Sequence, residues 1–285
     1  MSAFGFALVL TAAFCHATWN FFVKRIAAGP ELVWLFSVIS AVLYFPLAAF
    51  VWVNSDPFTA KQWLFVGGSV LLHMAYFLLL QFAYGKGDLS VIYPTARATG
   101  PILSSSFAIL FLGEILTPHI AMGGAIIVFG VLMLTRGAGG GRQHVLTSAG
   151  FGLMAGGLIG SYTAWDAYAV SLLLVPPLLL DYASSVGRSV LLAPLAMRHR
   201  PQIARLWRDH HLGVIAIAVF NPLAYILVLF ALTFAPVVMV APLRELSVVL
   251  SVLMGSILLG EGHLKQRLSW ALVILGGVAI LASSG

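Results

Sequence analysis

The 285 residues are 61% hydrophobic and 8% charged, with a mean hydropathy of +1.02 and a net charge of +6. Soluble domains carry roughly 25% charged residues, so composition excludes a soluble globule and makes the bilayer the solvent that suits this chain. The single cysteine, Cys15, excludes a disulfide framework and a cysteine-rich metal site, and the first apolar segment, which lacks a basic start, is read as a retained spanning helix rather than a leader.

A spanning helix takes about 20 mostly apolar residues. Ten windows qualify, at about 3–23, 31–53, 63–84, 89–112, 118–135, 149–171, 175–197, 212–234, 237–259 and 268–283. The first holds "AFCHATWNFFVKR" (13–25), with His16 and Trp19 on one face and Asn20 beside them. The third repeats that spacing with His73 and Tyr76. The fourth contains "YPTAR" (93–97), with Pro94 and Arg97, and closes on "FLGE" (111–114). After the fifth comes "RGAGGGRQHVLTS" (136–148), one of the two longest predicted loops. The sixth opens with "GFGLMAGGLIG" (150–160), whose small residues suit close helix packing, and continues into "GSYTAWDAYAVS" (160–171) with Tyr162, Trp165 and Asp166. The seventh carries Asp181 and Arg188, about two turns apart on one face. A second long loop is predicted at "RHRPQIARLWRDHH" (198–211). The eighth span has Asn221, Pro222 and Tyr225, and the ninth has "APLRE" (241–245), with Pro242 and Arg244. Trp34, Tyr44, Trp52, Trp63 and Trp207 read as interfacial anchors.

Loop charge sets the expected orientation. Lys24, Arg25, Lys86, Arg136, Arg142, Arg198, Arg200, Arg205, Arg208, Lys265 and Arg267 fall on one side of a ten-span chain, and Lys61 alone on the other. The basic side is expected to be cytoplasmic and both termini to face outward. These bases are topology signals, so no nucleic-acid partner is expected.

The chain repeats itself at an offset of 147 residues. "FLGE" (111–114) meets "LLGE" (258–261), "IIVFGVLML" (126–134) meets "VILGGVAIL" (273–281), and Arg97 meets Arg244. Trp19-Asn20 and Trp165-Asp166 form a further matched pair, 146 apart. The expected organisation is a first repeat over 1–137, a linker over 138–147 and a second repeat over 148–285. Five helices per repeat force the second into the opposite orientation, so the fold class is an all-α polytopic membrane protein of two inverted five-helix repeats. Such repeats are a recurring plan of secondary transporters, with the site near the midplane between them.

These features together resemble the drug/metabolite transporter superfamily, EamA type, over the whole chain. The aromatic-rich segments are most similar to its aromatic amino-acid exporter branch. The resemblance implies a carrier in the cell (inner) membrane that exports small metabolites, often amino acids, by alternating access.

Candidate site residues follow from what the bilayer tolerates. A base near mid-membrane must face a cavity or a partner. Arg97 is the first candidate for a substrate carboxylate, through two parallel hydrogen bonds; Arg244, with Glu245 beside it, is the second. His16, Trp19, Asn20, His73, Tyr76, Tyr162, Trp165, Asn221 and Tyr225 are expected to line one aromatic, weakly polar cavity. Asp166 is a candidate proton-coupling acid; Pro94, Pro242, Asp181 and Arg188 are candidates for gating or packing. No cofactor or metal is expected. The alternatives are a multidrug or organic-cation exporter, for which acids would suit the cavity better than arginines, and an intramembrane enzyme, for which no "GxSxG" or "HExxH" is present. With both repeats in one chain, a monomer can be complete.

Overall fold

The computed structural model describes residues 2–26, 28–84, 86, 89–134, 142–250, 254 and 264–282. Every regular element among them is helical: α1 (Ala3–Ile26), α2 (Pro30–Val53), α3 (Ala60–Tyr84), α4 (Leu89–Phe107), α5 (Pro118–Leu134), α6 (Arg142–Ser171), α7 (Pro177–Leu191), α8 (Ala193–Arg198), α9 (Arg200–Leu232), α10 (Val237–Leu243) and α11 (Leu264–Ala282). Four of them are long and apolar enough to cross a bilayer, over Ala3–Val23, Pro30–Val53, Ala60–Leu80 and Arg200–Leu232, and the apolar stretches Pro118–Met133 and Ser269–Ile280 are shorter. α4, α6 and α7 are less uniformly apolar because they carry Arg97, Asp166, Asp181 and Arg188, all turned into the protein.

Prolines mark the starts and the breaks. Pro30 and Pro177 open α2 and α7, where the missing N–H has no helical use. Pro222 sits inside α9 and leaves the Ala218 carbonyl without its helical donor. The Ser40 hydroxyl of α2 supplies one at 2.8 Å, and the Tyr44 hydroxyl donates to the next carbonyl, Val219, at 2.7 Å. Tyr44 therefore ties α2 to α9 rather than anchoring in an interface. Trp34 likewise donates to the Ser189 carbonyl at 3.0 Å, whereas Trp52 and Trp63 cluster with Phe58 at the exposed end of α2 and α3.

α4 ends in a π-helical turn, Ala108–Leu112, and Gly113 follows at φ +69, a left-handed conformation that glycine adopts without strain. The Glu114 carboxylate then accepts hydrogen bonds from the backbone N–H groups of Val237 and Val238, at 2.7 and 2.9 Å, at the start of α10. The first Leu-Gly-Glu is thus a turn plus a cross-chain cap. Its repeat at 258–261 lies outside the described residues, as do residues 137–141 and most of the predicted ninth span beyond 250.

Small residues set the closest helix approach. A Cβ on Gly152 would stand 2.5 Å from Cβ of Thr95, and one on Gly156 2.5 Å from Cβ of Thr99, so α6 lies directly on α4. Between α5 and α11, Gly130 abuts Ile274 and Gly277 abuts the Gly123 carbonyl. α2 packs on α7, α1 on α9 and α3 on α6. The main core joins Val9, Ile127, Leu180, Leu229, Val240 and Ile274 from six different helices.

Two segments expected as loops are helical. α6 starts at Arg142, and α9 starts at Arg200 with a break at His210 (φ −138, ψ 20) that separates its surface turns from its apolar span. Ile203 and Leu206, three residues apart, pack on the core formed by Leu32, Phe36 and Val214. The surface part of α9 is amphipathic, a pattern that a search for uniformly apolar runs does not see.

Candidate functional site

Polar side chains from both halves of the chain converge in the middle of the bundle. Asp166 of α6 is fully buried. Its Oδ2 accepts a hydrogen bond from the Tyr225 hydroxyl at 2.6 Å and lies 3.0 Å from His73 Nε2. Its Oδ1 is buried without a hydrogen-bond partner. The His73 ring sits between Tyr162 and Tyr225, with centroids 4.2 and 5.0 Å away, and Tyr76 meets Tyr162 edge-on at 5.7 Å. Five predicted site residues, His73, Tyr76, Tyr162, Asp166 and Tyr225, are thereby brought together on α3, α6 and α9.

Beside this cluster lies a narrow cavity, lined by His16, Arg97, Tyr225, Arg244 and Ser247 with small apolar residues of α1 and α9. Arg97 and Arg244 meet here, as their equivalent places in the repeat suggest, but in unequal surroundings. Arg97 Nη1 is 3.7 Å from Glu245 Oε1, and both side chains are buried. Arg97 Nη2 is 2.5 Å from His16 Nε2, while the Trp19 indole N–H points to His16 Nδ1 at 3.2 Å. A neutral imidazole has one acceptor nitrogen, so its tautomer decides which of the two it holds. Arg244 has no carboxylate within ion-pair distance among the described residues: Nη1 donates to Thr163 Oγ1 at 3.2 Å, and the guanidinium lies 5.7 Å above the Tyr225 ring. Glu245, although next to Arg244 in the chain, pairs with Arg97 instead. The chain is interrupted just after Pro242 and Leu243, and Glu245 leaves that turn on the side of α4, where it reaches Arg97.

The remaining candidates stand further out. The Asn20 side chain donates to the His16 carbonyl of its own helix at 2.9 Å. The Trp165 indole donates to the Phe65 carbonyl at 2.8 Å and stacks on the Phe65 ring at 4.2 Å, so it joins α6 to α3 instead of lining the cavity. Asn221 is half-buried and lines neither space. The Pro94 side chain lies outside the described residues, and Pro242 is buried in α10. Arg188 donates to Ser37 and Ser185, both at 3.1 Å, and lies 5.0 Å over the Phe77 ring. Asp181 borders a second, smaller gap with Ser40, Tyr44 and Ser185. Sequence reading missed Thr163 and Ser247, small hydroxyl residues that only their place in the bundle distinguishes.

The comparisons agree with the repeat. The model of the EamA-like transporter family matches twice, over residues 3–136 and 147–283. Twenty-nine chains of solved structures match; one of them, described only as "Crystal structure of protein", superposes with a TM-score of 0.81 at 17% identity, covering 98% of this chain and 96% of its own. No curated protein matches. With a family match over both halves and helices fit to cross a bilayer, this chain belongs to the EamA-like transporter family, multi-pass membrane proteins that are transporters rather than enzymes.

Proposed function

We propose that this protein is a secondary carrier for small metabolites bearing a carboxylate, amino acids first among them, and that it exports them across the inner membrane by alternating access. The observation that carries this reading is the pair Arg97 and Arg244 on one cavity, with a single acid, Glu245, between them in charge. Two guanidinium groups and one carboxylate leave a net charge of +1, which suits an anionic group. Tyr225 on the cavity, with Tyr162 and Tyr76 packed behind it, supports aromatic amino acids within that class.

The carrier consists of ten spans in two inverted five-helix repeats, works as a monomer within the lipid, and has both termini on the outer side. Packing of α2 on α7 and of α5 on α11, with α1 on α9 answering α3 on α6, supports this plan, because exchange of the two halves maps each of these pairings onto another or onto itself. The test is flux into proteoliposomes of Phe, Trp, Tyr, Thr, Met, a polyamine and a quaternary ammonium dye. Saturable amino-acid flux supports the carboxylate site; flux of the cations alone overturns it in favour of an organic-cation exporter.

A further inference from the structure

A second gap in the bundle, too narrow to admit a water molecule, lies between α2, α7 and α9. Asp181 faces it and is only 5% exposed. No hydrogen bond and no ion pair reaches the Asp181 carboxyl among the described residues. Its helix neighbour Arg188 is occupied with Ser37 and Ser185. Two of the hydroxyls around Asp181 are committed elsewhere: Ser40 donates to the Phe36 or Ala218 carbonyl at 2.8 Å, and Tyr44 to the Val219 carbonyl at 2.7 Å. Ser185 Oγ receives a hydrogen bond from Arg188. Ser40 and Tyr44 thus turn lone pairs toward the gap, and among the described residues neither the Ser185 nor the Tyr182 hydroxyl, which also border it, reaches the Asp181 carboxyl.

A carboxylate buried in a span without a hydrogen-bond donor or an ion-pair partner is costly, and its protonated form is much less so. A carboxylic acid has one O–H to donate. We propose that Asp181 is the proton-binding carboxyl of this carrier, and that its O–H finds its acceptor, the oxygen of Tyr44 or Ser40 on the same gap, when the side chains close on it. One proton is taken from water when the gap opens to one side and returned to water when it opens to the other; no other bond is made or broken. Asp166 differs in kind, because Tyr225 donates to it and His73 lies within hydrogen-bond distance, so its carboxylate form has its donors in place. The other charged or titratable groups facing Asp181 are Tyr44 from α2, with Cys15 of α1 behind it, Tyr182 and Arg188 on its own helix, and, across α6, α3 and α9, the network of Asp166, His73 and Tyr225. Pro222 makes the arrangement possible, since the carbonyl it leaves free draws the Ser40 proton away from the gap.

Proton binding is read without knowing the cargo; only its use in coupling rests on the carrier reading. The experiment is an infrared difference spectrum of the purified full chain in lipid, stepped through pH. The expected result is a carboxylic-acid C=O stretch that Asp181→Asn abolishes, and that Tyr44→Phe moves to higher frequency because an acceptor is gone. Asp181→Asn is expected to fold, since the amide N–H groups meet the same acceptors; if it does not, the shift in Tyr44→Phe and Ser40→Ala still decides. A band that keeps full intensity in Asp181→Asn and its position in both hydroxyl variants overturns the assignment. So does a band that responds to sodium at fixed pH instead of to pH, which would make the gap a metal-cation site. If amino-acid flux fails in proteoliposomes while the Asp181 band behaves as expected, the substrate reading falls and the proton site stands.

Discussion

At Arg244 a guanidinium that can make five hydrogen bonds makes one among the described residues, to the Thr163 hydroxyl, at the edge of the cavity. Its counterpart Arg97 is tied to Glu245 and His16. On the carrier reading proposed above, the two would divide the work: Arg244 receives the substrate carboxylate, and Arg97 holds Glu245. Arg244→Ala is expected to raise KM for flux by about 10–100-fold, the equivalent of roughly 1.5–3 kcal/mol for a hydrogen bond to a charged group, and Arg244→Lys to recover only part of it, because an ammonium lacks the planar fork. An unchanged KM in proteoliposomes returns the anion to Arg97. Arg97→Ala acts differently, by stranding a carboxylate that is 3% exposed. Loss of one partner of a buried pair costs about 3–5 kcal/mol, so the variant is expected to melt well below the parent, and the double substitution Arg97→Ala with Glu245→Ala to recover most of the loss; equal melting of Arg97→Ala and parent removes the pair as a source of stability. Both arginines were legible in the sequence, since a base inside an apolar run needs a cavity and the repeat set the two side by side. Which of them Glu245 neutralises was not legible. Adjacency favours Arg244, whereas the direction a side chain takes from an interrupted helix is fixed by the neighbouring helices.

The Leu-Gly-Glu that closes α4 shows the same limit at the scale of an element. As a sequence feature it marks the repeat and ends a helix; its acid has no local use. The use is 123 residues away, where the Glu114 carboxylate takes the Val237 and Val238 N–H groups. Free N–H groups at a helix start need an acceptor, and inside a bilayer water is not at hand to provide it. Glu114→Ala leaves two donors without a partner and is expected to lower stability by about 1–3 kcal/mol, with Glu114→Gln intermediate because its amide offers one acceptor oxygen. Thermal unfolding in detergent checks this, and a Glu114→Ala protein as stable as the parent would mean that the contact contributes nothing. Small-residue spacing was more informative: the run 150–160 was read as a close-packing surface, and Gly152, Gly156 and Gly160 indeed leave no room for a Cβ against α4. The helical starts of α6 and α9 escaped the sequence reading because charge there looks like a loop until the buried side of the helix, Ile203 and Leu206, is seen.

For the whole molecule, five spans per repeat has a consequence that four or six does not: the segment between the repeats lies on the opposite side of the membrane from both termini. The described helices leave this open, because only four are long and apolar enough to cross by themselves. The charge pattern supplies a direction, with eleven bases in loops on one side of the ten-span plan and Lys61 on the other. Alkaline phosphatase, which is active only after export, can be fused at the N-terminus behind an export signal, at the C-terminus, and within residues 137–141. The expected outcome is activity at the C-terminus and inactivity at the middle segment, with a fluorescent reporter that folds only in the cytoplasm giving the reverse pattern. Activity at both places would mean an even number of spans in the second repeat, and the inverted plan would fail with it. Activity in the middle and none at the C-terminus would keep five spans per repeat but turn the molecule over, leaving Arg97 and Arg244 on their shared cavity while the basic loops faced outward. The two failures are thus separable: one removes the symmetry on which the paired arginines were found, and the other only reverses the direction assigned to the charge.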